Sequence, residues 1–344
     1  MIDGGAKPTS YELLTANDPA GILKTLISLG VCRSGESITR VSKAGEGNMN
    51  LVLRVKTDRQ SLIVKQARPW VEKYPGIAAS DGRILSEIEF YRSISGSGDV
   101  RAAMPSVLAS APQLRVMVME DLGAASDYST LYQATTDAAE VNSVFQQAID
   151  WVSCLHGLDL NEQRAVGCTE LLQLNHRHIF SVPLYDPPEI DLNQVCSGLT
   201  EASRALCSDD LVKREMERLG EIYLKGGGPL LHGDYYPGSW LKTESGFRVI
   251  DPEFCFCGPR EYDLGVLAAH WIFCGGEAND TTIDHVCASS TQISTQISRP
   301  LIFGFAGAEL IRRLIGVGQL PLEANLSRRV EWLECGVRFL RKSI

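Results

Sequence analysis

Between residues 230 and 263 the chain reads LLHGDYYPGSWLKTESGFRVIDPEFCFCGPREYD, and its acids are spaced for work on a phosphate. Asp234 follows His232-Gly233 in a turn, where a single carboxylate can accept a proton from an attacking hydroxyl. Asp251 leaves a short apolar run, and Glu253 comes two residues later, near the same face of an extended segment. Such a pair offers the hard oxygen donors that Mg²⁺ takes, with Ser239 able to assist directly or through water. A metal held there bridges nucleotide phosphates and offsets their charge during phosphoryl transfer. The runs carrying these residues, 239–242 and 247–250, flank a polar turn over 243–246, the pattern of a small β-hairpin with chemistry at both ends. A lone HGD or a lone DPE is usually a turn or a helix cap. Both together, in this order and with an apolar strand between them, point to a site.

The combination HGD-x-x-x-G-S, IDPEF and a following GP resembles the catalytic and metal-binding loops of the aminoglycoside phosphotransferase and choline kinase superfamily, which has the protein-kinase fold. Most of that superfamily carries Asn at the position of Ser239, and the pattern here is closer to the methylthioribose kinase branch, which phosphorylates the anomeric hydroxyl of a thio-sugar with ATP. The resemblance implies an α+β, protein-kinase-like two-lobed fold: residues 1–120 as an N-terminal lobe with a five-stranded antiparallel sheet, residues 121–344 as a mostly helical C-terminal lobe. ATP and Mg²⁺ are the implied cofactors, with Asp234 as catalytic base and Asp251, Glu253 and Ser239 at the metal. The implied acceptor is a small molecule, first 5-methylthioribose or a related pentose. An amino alcohol or aminoglycoside is the alternative acceptor, and a nucleotide-binding pseudokinase the alternative of a different class. Methylthioribose kinases also suggest a homodimer. Tyr235-Tyr236-Pro237 stands where they generally have Leu-His-Thr, which makes Tyr235 a candidate for contact with the acceptor.

The same resemblance places further residues on the elements that would carry them. Strand-like runs at 38–42, 51–55 and 62–65 surround a turn holding Gly45, Gly47 and Asn48, where glycines let backbone N–H groups approach phosphate oxygens. An ordinary hairpin turn reads the same way. SLIVK ends the third run at Lys65, where this fold presents an ammonium to the nucleotide phosphates. A helix over 80–94, capped by Ser80 or Asp81, supplies Glu87 to orient Lys65, with Glu89 as the other choice. The segment before that helix reads as a flap. Strands at 105–109 and 114–119 close the sheet, and the backbone of Met119, Glu120 and Leu122 faces the adenine by resemblance. Asp263 is implied to hold the turn around His232, and the adjacent Arg312 and Arg313 to meet the sugar and the transferring phosphoryl group.

The remaining periodicity is helical. One or two helices lie between residue 10 and Gly30, a strong amphipathic helix spans 141–158, and further helices span 192–205, 210–224, 264–273, 283–298, 301–316 and 326–340. His156 reads as a packing residue, and His176 and His178 as solvated or as a substrate rim. With 344 residues, 44% hydrophobic residues and a net charge of −9, the chain reads as globular, and it lacks the basic run that nucleic-acid binding requires. Ten cysteines occur without a Cys-x-x-Cys pair, so a zinc site is not indicated, and Cys255 and Cys257 read as buried packing. No secretory signal or apolar run of membrane-spanning length is visible, which sets the expectation of a cytoplasmic protein with reduced thiols and no membrane partner.

Overall fold

The structure, a computed structural model, describes residues 11–45, 49–133, 135–159, 166–185, 187–290 and 297–344. The N-terminal lobe is built on a five-stranded antiparallel sheet. Its strands are β1 (Ile38–Lys43), β2 (Leu51–Thr57), β3 (Ser61–Gln66), β6 (Val107–Ala111) and β7 (Val116–Glu120), in the order β1-β2-β3-β7-β6. Alternation sets the faces: Leu51, Leu53 and Val55 of β2 point inward with Leu62 and Val64 of β3, and helix α1 (Pro19–Ser28) covers them with Ile22 and Leu26. Pairing of β3 with both β2 and β7 puts Lys65 opposite Val52 on one side and Met117 on the other, fixed at the centre of the sheet.

Between β3 and β6 the chain forms a hairpin, β4 (Trp70–Val71) and β5 (Tyr74–Ala78), then α2 (Arg83–Ser93) and the short α3 (Gly98–Ala102). The expected flap is thus a two-stranded excursion. Helix α2 starts later than its apolar stripe suggested: Gly82 is its N-cap, and neither Ser80 nor Asp81 caps it. Ser80 gives its carbonyl to Arg83 and Asp81 accepts from Tyr11, so both are committed elsewhere. At the amino end only one helix forms, and its cap is Asp18.

Past the sheet, β8 (Ala125–Asp127) pairs with the later hairpin, and α4 (Ala138–His156) begins the helical lobe, capped by Asp137. Helix α5 (Thr169–His176), continued by a π-turn over Arg177–Ser181, is an element absent from the sequence reading. It packs the half-buried His176 against Phe180 and Tyr223, so that histidine belongs to the packing more than to a solvated rim. The helix expected over 192–205 is two, α6 (Leu192–Val195) and α7 (Leu199–Cys207), broken at Gly198, whose φ of +86° no helix interior adopts. Helix α8 (Asp210–Lys225) leads to β9 (Leu230–Leu231), the hairpin β10 (Trp240–Thr243) and β11 (Gly246–Val249), and β12 (Phe256–Cys257).

Among the described residues, four helices finish the lobe: α9 (Glu261–Phe273), α10 (Asp280–Ser289), α11 (Arg299–Ile315) and α12 (Leu326–Lys342). Every side chain of α9 is buried, the mark of a central helix. It crosses α11 closely because Gly265 carries no side chain: a Cβ there would lie 2.7 Å from Phe305. This contact brings His270 of α9 against Glu309 of α11, 39 residues apart in sequence. No helix among the described residues is long and apolar enough to cross a membrane.

Candidate active site

The turn at His232–Asp234 is fixed from three directions. The N–H groups of His232 and Gly233 donate to the two carboxylate oxygens of Asp263, at 2.8 and 3.0 Å. His156 Nε2 lies 3.1 Å from the same Asp263, so the histidine at the end of α4 braces the carboxylate that braces the turn. His232 itself is buried with Nε2 2.9 Å from the Ile250 carbonyl and Nδ1 3.4 Å from the Asp234 N–H. One tautomer satisfies both contacts, with the proton on Nε2, and burial lowers the pKa of the ring so that it stays neutral. Gly233 has φ +85° and packs so tightly on the next loop that a Cβ would fall 2.0 Å from the Phe254 carbonyl oxygen. Only glycine fits there. The result is an Asp234 side chain held at the surface of the cleft while its backbone is locked.

Ser239 closes the turn: its hydroxyl donates to the Asp234 carbonyl at 2.8 Å. A hydroxyl keeps oxygen lone pairs after donating, so this bond and a metal contact are compatible. Asp251 sits in the left-handed region at φ +60°, which Asp tolerates better than most residues, and its side chain is 45% exposed. Its carboxylate meets Lys65 Nζ at 2.7 Å. On the other side of that ammonium, Glu87 Oε2 approaches to 2.6 Å, an ion pair without the alignment of a good hydrogen bond. Glu89, the other choice, pairs with Arg92 at 3.6 Å. Burial pushes Glu87 up, to about 7, against the pull of Lys65. Burial also works against the charge on Lys65, but Asp251, Glu87 and Glu253 outweigh it and raise the pKa of the lysine.

Glu253 is more engaged than its sequence position implied. Asn50 Nδ2 donates to it at 2.7 Å, and Arg83, wholly buried, stands 3.7 Å away while donating to the Asn50 side chain and to the carbonyls of Met49, Ser80 and Trp70. Asn50 and Arg83 thus tie the loop of Glu253 to the end of the glycine turn and to α2. Sequence reasoning missed both, although an Asn directly after a Gly-rich turn was a visible signal. Among the described residues no three His, Cys, Asp or Glu side chains gather closely enough to form a metal cage on their own. Mg²⁺ commonly takes only one or two carboxylates and completes its shell with water and phosphate, and the exposed Asp251 suits that arrangement.

Of the nucleotide-side backbone, Met119 and Glu120 still lie inside β7, and the Glu120 N–H is spent on the Ser106 carbonyl at 2.9 Å. The chain leaves the sheet at Asp121, so Leu122 is the member of that trio free of strand pairing. Gly45, with φ +85°, ends the described part of the glycine turn; Gly47 and Asn48 lie outside the described residues.

Tyr235 does not face the cleft. It is fully buried, stacked on Trp151 at 5.3 Å, with its hydroxyl donated to the Ala148 carbonyl. Neighbouring residues of an extended segment point to opposite sides, and the cleft side is taken by Tyr236. Arg313 lies over the Tyr236 ring, 4.6 Å from its centre. Both arginines reach the carboxylate of Asp234: Arg313 Nη2 is 3.1 Å and Arg312 Nη2 3.6 Å from its Oδ1. Behind them Glu309 accepts from both.

Taken together, fold and site define a small-molecule phosphotransferase with a protein-kinase-like architecture, an ATP-dependent enzyme acting on a hydroxyl. Residues 40–285 match the phosphotransferase enzyme family, and the chain belongs to that family. Among curated proteins it is similar to the methylthioribose kinase of Bacillus velezensis, 26% identical over 97% of this chain and 93% of the relative. It is also similar to the methylthioribose kinase of Pectobacterium carotovorum, 28% identical over 77% of this chain and 67% of the relative. Solved structures share the fold: LicA in complex with AMP, with a TM-score of 0.54 at 14% identity over 94% of this chain and 98% of that one, and choline kinase of Cryptosporidium parvum, with 0.51 at 13% identity over 94% and 93%.

Proposed function

We propose that the protein phosphorylates a sugar hydroxyl with ATP, the acceptor being 5-methylthioribose or a related pentose. The convergence of Arg312 and Arg313 on Asp234 carries this reading. A choline- or aminoglycoside-like acceptor would bring positive charge against two guanidinium groups, whereas a neutral polyol meets donors suited to its oxygens. The names of the curated relatives support the same acceptor class.

In this reading Asp234 orients the acceptor hydroxyl and takes its proton, and the arginines hold neighbouring oxygens and offset charge on the transferring group. Lys65, fixed by Glu87, grips the nucleotide phosphates. Asp251 would hold Mg²⁺, with Glu253 and Ser239 as further oxygen donors; bound there, the ion would supply charge compensation for the phosphates. The exposed backbone after β7 would meet the base of the nucleotide. Turnover of ATP by the purified protein with Mg²⁺ should be measured against methylthioribose, ribose, 5-deoxyribose, choline and kanamycin, with Asp234→Ala as control. Asp234-dependent phosphorylation of a pentose is the expected result. Turnover with choline or kanamycin alone would reject the acceptor assignment and the role of the arginines.

A further inference from the structure

The arginine pair is held from behind by a buried chain that no part of the catalytic reading uses. His270 Nε2 lies 2.9 Å from Glu309 Oε1, and His270 Nδ1 lies 2.6 Å from the Tyr132 hydroxyl. Glu309 Oε1 also accepts from Arg312 Nη2 at 3.0 Å and from Arg313 Nε at 2.8 Å, while its Oε2 accepts from Arg312 Nε. An ionised carboxylate only accepts, so the imidazole proton must be on Nε2, and the tyrosine hydroxyl must then donate to Nδ1. Tyr132, His270 and Glu309 are all buried.

Charge fixes the protonation state of the ring. Arg312 and Arg313 face Glu309 and Asp234, two cations against two carboxylates in direct contact. An imidazolium would add an unmatched cation away from water, and burial already depresses the ring to about 4. A neutral His270 can give Glu309 one hydrogen bond without competing with it for the arginines. Its effect is directional. Glu309 precedes Arg312 by three residues and Arg313 by four, so both guanidinium groups can reach it along one helix, and an unpinned carboxylate could turn wholly onto either. The Nε2–H on Oε1 holds the carboxylate where it serves both.

We propose that His270 is a positioning residue for the acceptor site: pinned by Tyr132, it orients Glu309, and through Glu309 it sets Arg312 and Arg313 over Asp234. The inference rests on the reading of the arginines as acceptor-binding groups. A core histidine with a merely structural role would change stability when replaced and leave acceptor binding alone. His270→Phe removes the donor at similar volume. His270→Gln places an amide nitrogen near the Nε2 position.

The test compares the two full-length variants with the wild type, by thermal shift with ATP, by the KM for ATP and for the acceptor, and by a crystal structure of His270→Phe. His270→Phe is expected to bind ATP as the wild type does and to raise the acceptor KM by about tenfold, the effect of losing one charge-assisted hydrogen bond. His270→Gln should return it to within about threefold of the wild type. An unchanged acceptor KM in folded His270→Phe, or a His270→Gln no better than it, overturns the proposal. The crystal structure should show Arg313 beyond about 4 Å from Asp234, outside ion-pair range. An arginine still in place rejects the relay whatever the acceptor is. If the arginine moves in an enzyme that phosphorylates no pentose, the relay stands and the pentose reading fails. Should His270→Phe not fold, Tyr132→Phe removes only the pin on Nδ1 and should raise the acceptor KM by about threefold; no change there also rejects the proposal.

Discussion

The two ends of the cleft are built from the same residue types with different charge balance. Around Lys65 the direct contacts are two cations, Lys65 and Arg83, and three carboxylates, Glu87, Asp251 and Glu253. Around Asp234 they are two cations, Arg312 and Arg313, and two carboxylates, Asp234 and Glu309. The nucleotide end keeps a surplus of carboxylate, which suits a divalent cation and the phosphates that travel with it. The end at Asp234 is balanced within the protein, which on the proposed reading suits an acceptor that brings no charge. On the proposed reading, one cleft would accept a charged nucleotide and a neutral acceptor through the charge balance of its own side chains.

The sharpest break of this comparison is Asp234→Ala. It removes the proposed base and leaves two arginines against one carboxylate, so kcat should fall by about 10²–10⁴-fold. The KM for ATP should stay within about threefold, because no nucleotide-end contact is touched. A matching loss of ATP binding would show that the two ends are one electrostatic unit.

Lys65→Met attacks the other end. It strands Glu87, which is buried and already raised to about 7, and it leaves Asp251 without its near cation. Unfolding in denaturant should show a loss of about 3–5 kcal/mol, the usual cost of breaking a buried pair by removing one partner. Adding Glu87→Gln should recover part of that stability and none of the ATP turnover. The acceptor KM, where turnover allows it to be measured, should not move.

Acid, read against a His270 variant, probes the Asp234 end without touching its arginines or its carboxylates. The pKa of His270 is about 4 folded against an ordinary 6.5, so the unfolded chain binds its proton more readily. Its contribution to stability is therefore fully present above about pH 6.5 and is lost as pH falls toward about 4, amounting to about 3 kcal/mol over that window. Burial holds the ring neutral through the same range; of the groups that face it, Arg313 and Arg312 act in the same sense, Glu309 pulls toward the charged form, and Tyr132 and Tyr236 bring no charge. His232 is depressed too and adds acid sensitivity of the same sign. The difference between wild type and His270→Phe in stability measured against pH isolates the acceptor-end share. A flat difference from pH 7 to 4 would show that His270 is not held neutral.

How much of this could be read beforehand followed the range over which each contact acts. The hairpin carrying Asp234, Ser239, Asp251 and Glu253 is local, so its acids and its alternation stand together in the sequence. The sheet, Lys65 and the apolar stripe of α2 follow from periods of two and of 3.6 residues. The stripe left Glu87 and Glu89 as rivals, and the structure separates them by which one faces β3. Tyr235 against Tyr236 was a question of phase around a turn, which composition does not set. Asn50 with Glu253, His156 with Asp263 and His270 with Glu309 are 203, 107 and 39 residues apart. In sequence His270 is one polar residue in an apolar helix, and only the crossing of α9 and α11 gives it a partner.

The smallest expected effect tests whether the acceptor end owes its shape to aromatic packing as well as charge. Arg313 lies over the Tyr236 ring, 4.6 Å from its centre, and the His270 ring is 5.1 Å from the same ring. Tyr236→Leu deletes the ring and keeps an apolar side chain, so the loss should be that of one cation–π contact, about 0.5–2 kcal/mol. That corresponds to an acceptor KM raised by about two- to thirtyfold, with the ATP KM unchanged. Tyr236→Phe keeps the ring and should behave as wild type, since the contact is with the ring face. If Tyr236→Phe were as damaging as Tyr236→Leu, the hydroxyl would be the working group, and Tyr236 would have to be counted among the acceptor's hydrogen-bond partners and not as the wall behind Arg313.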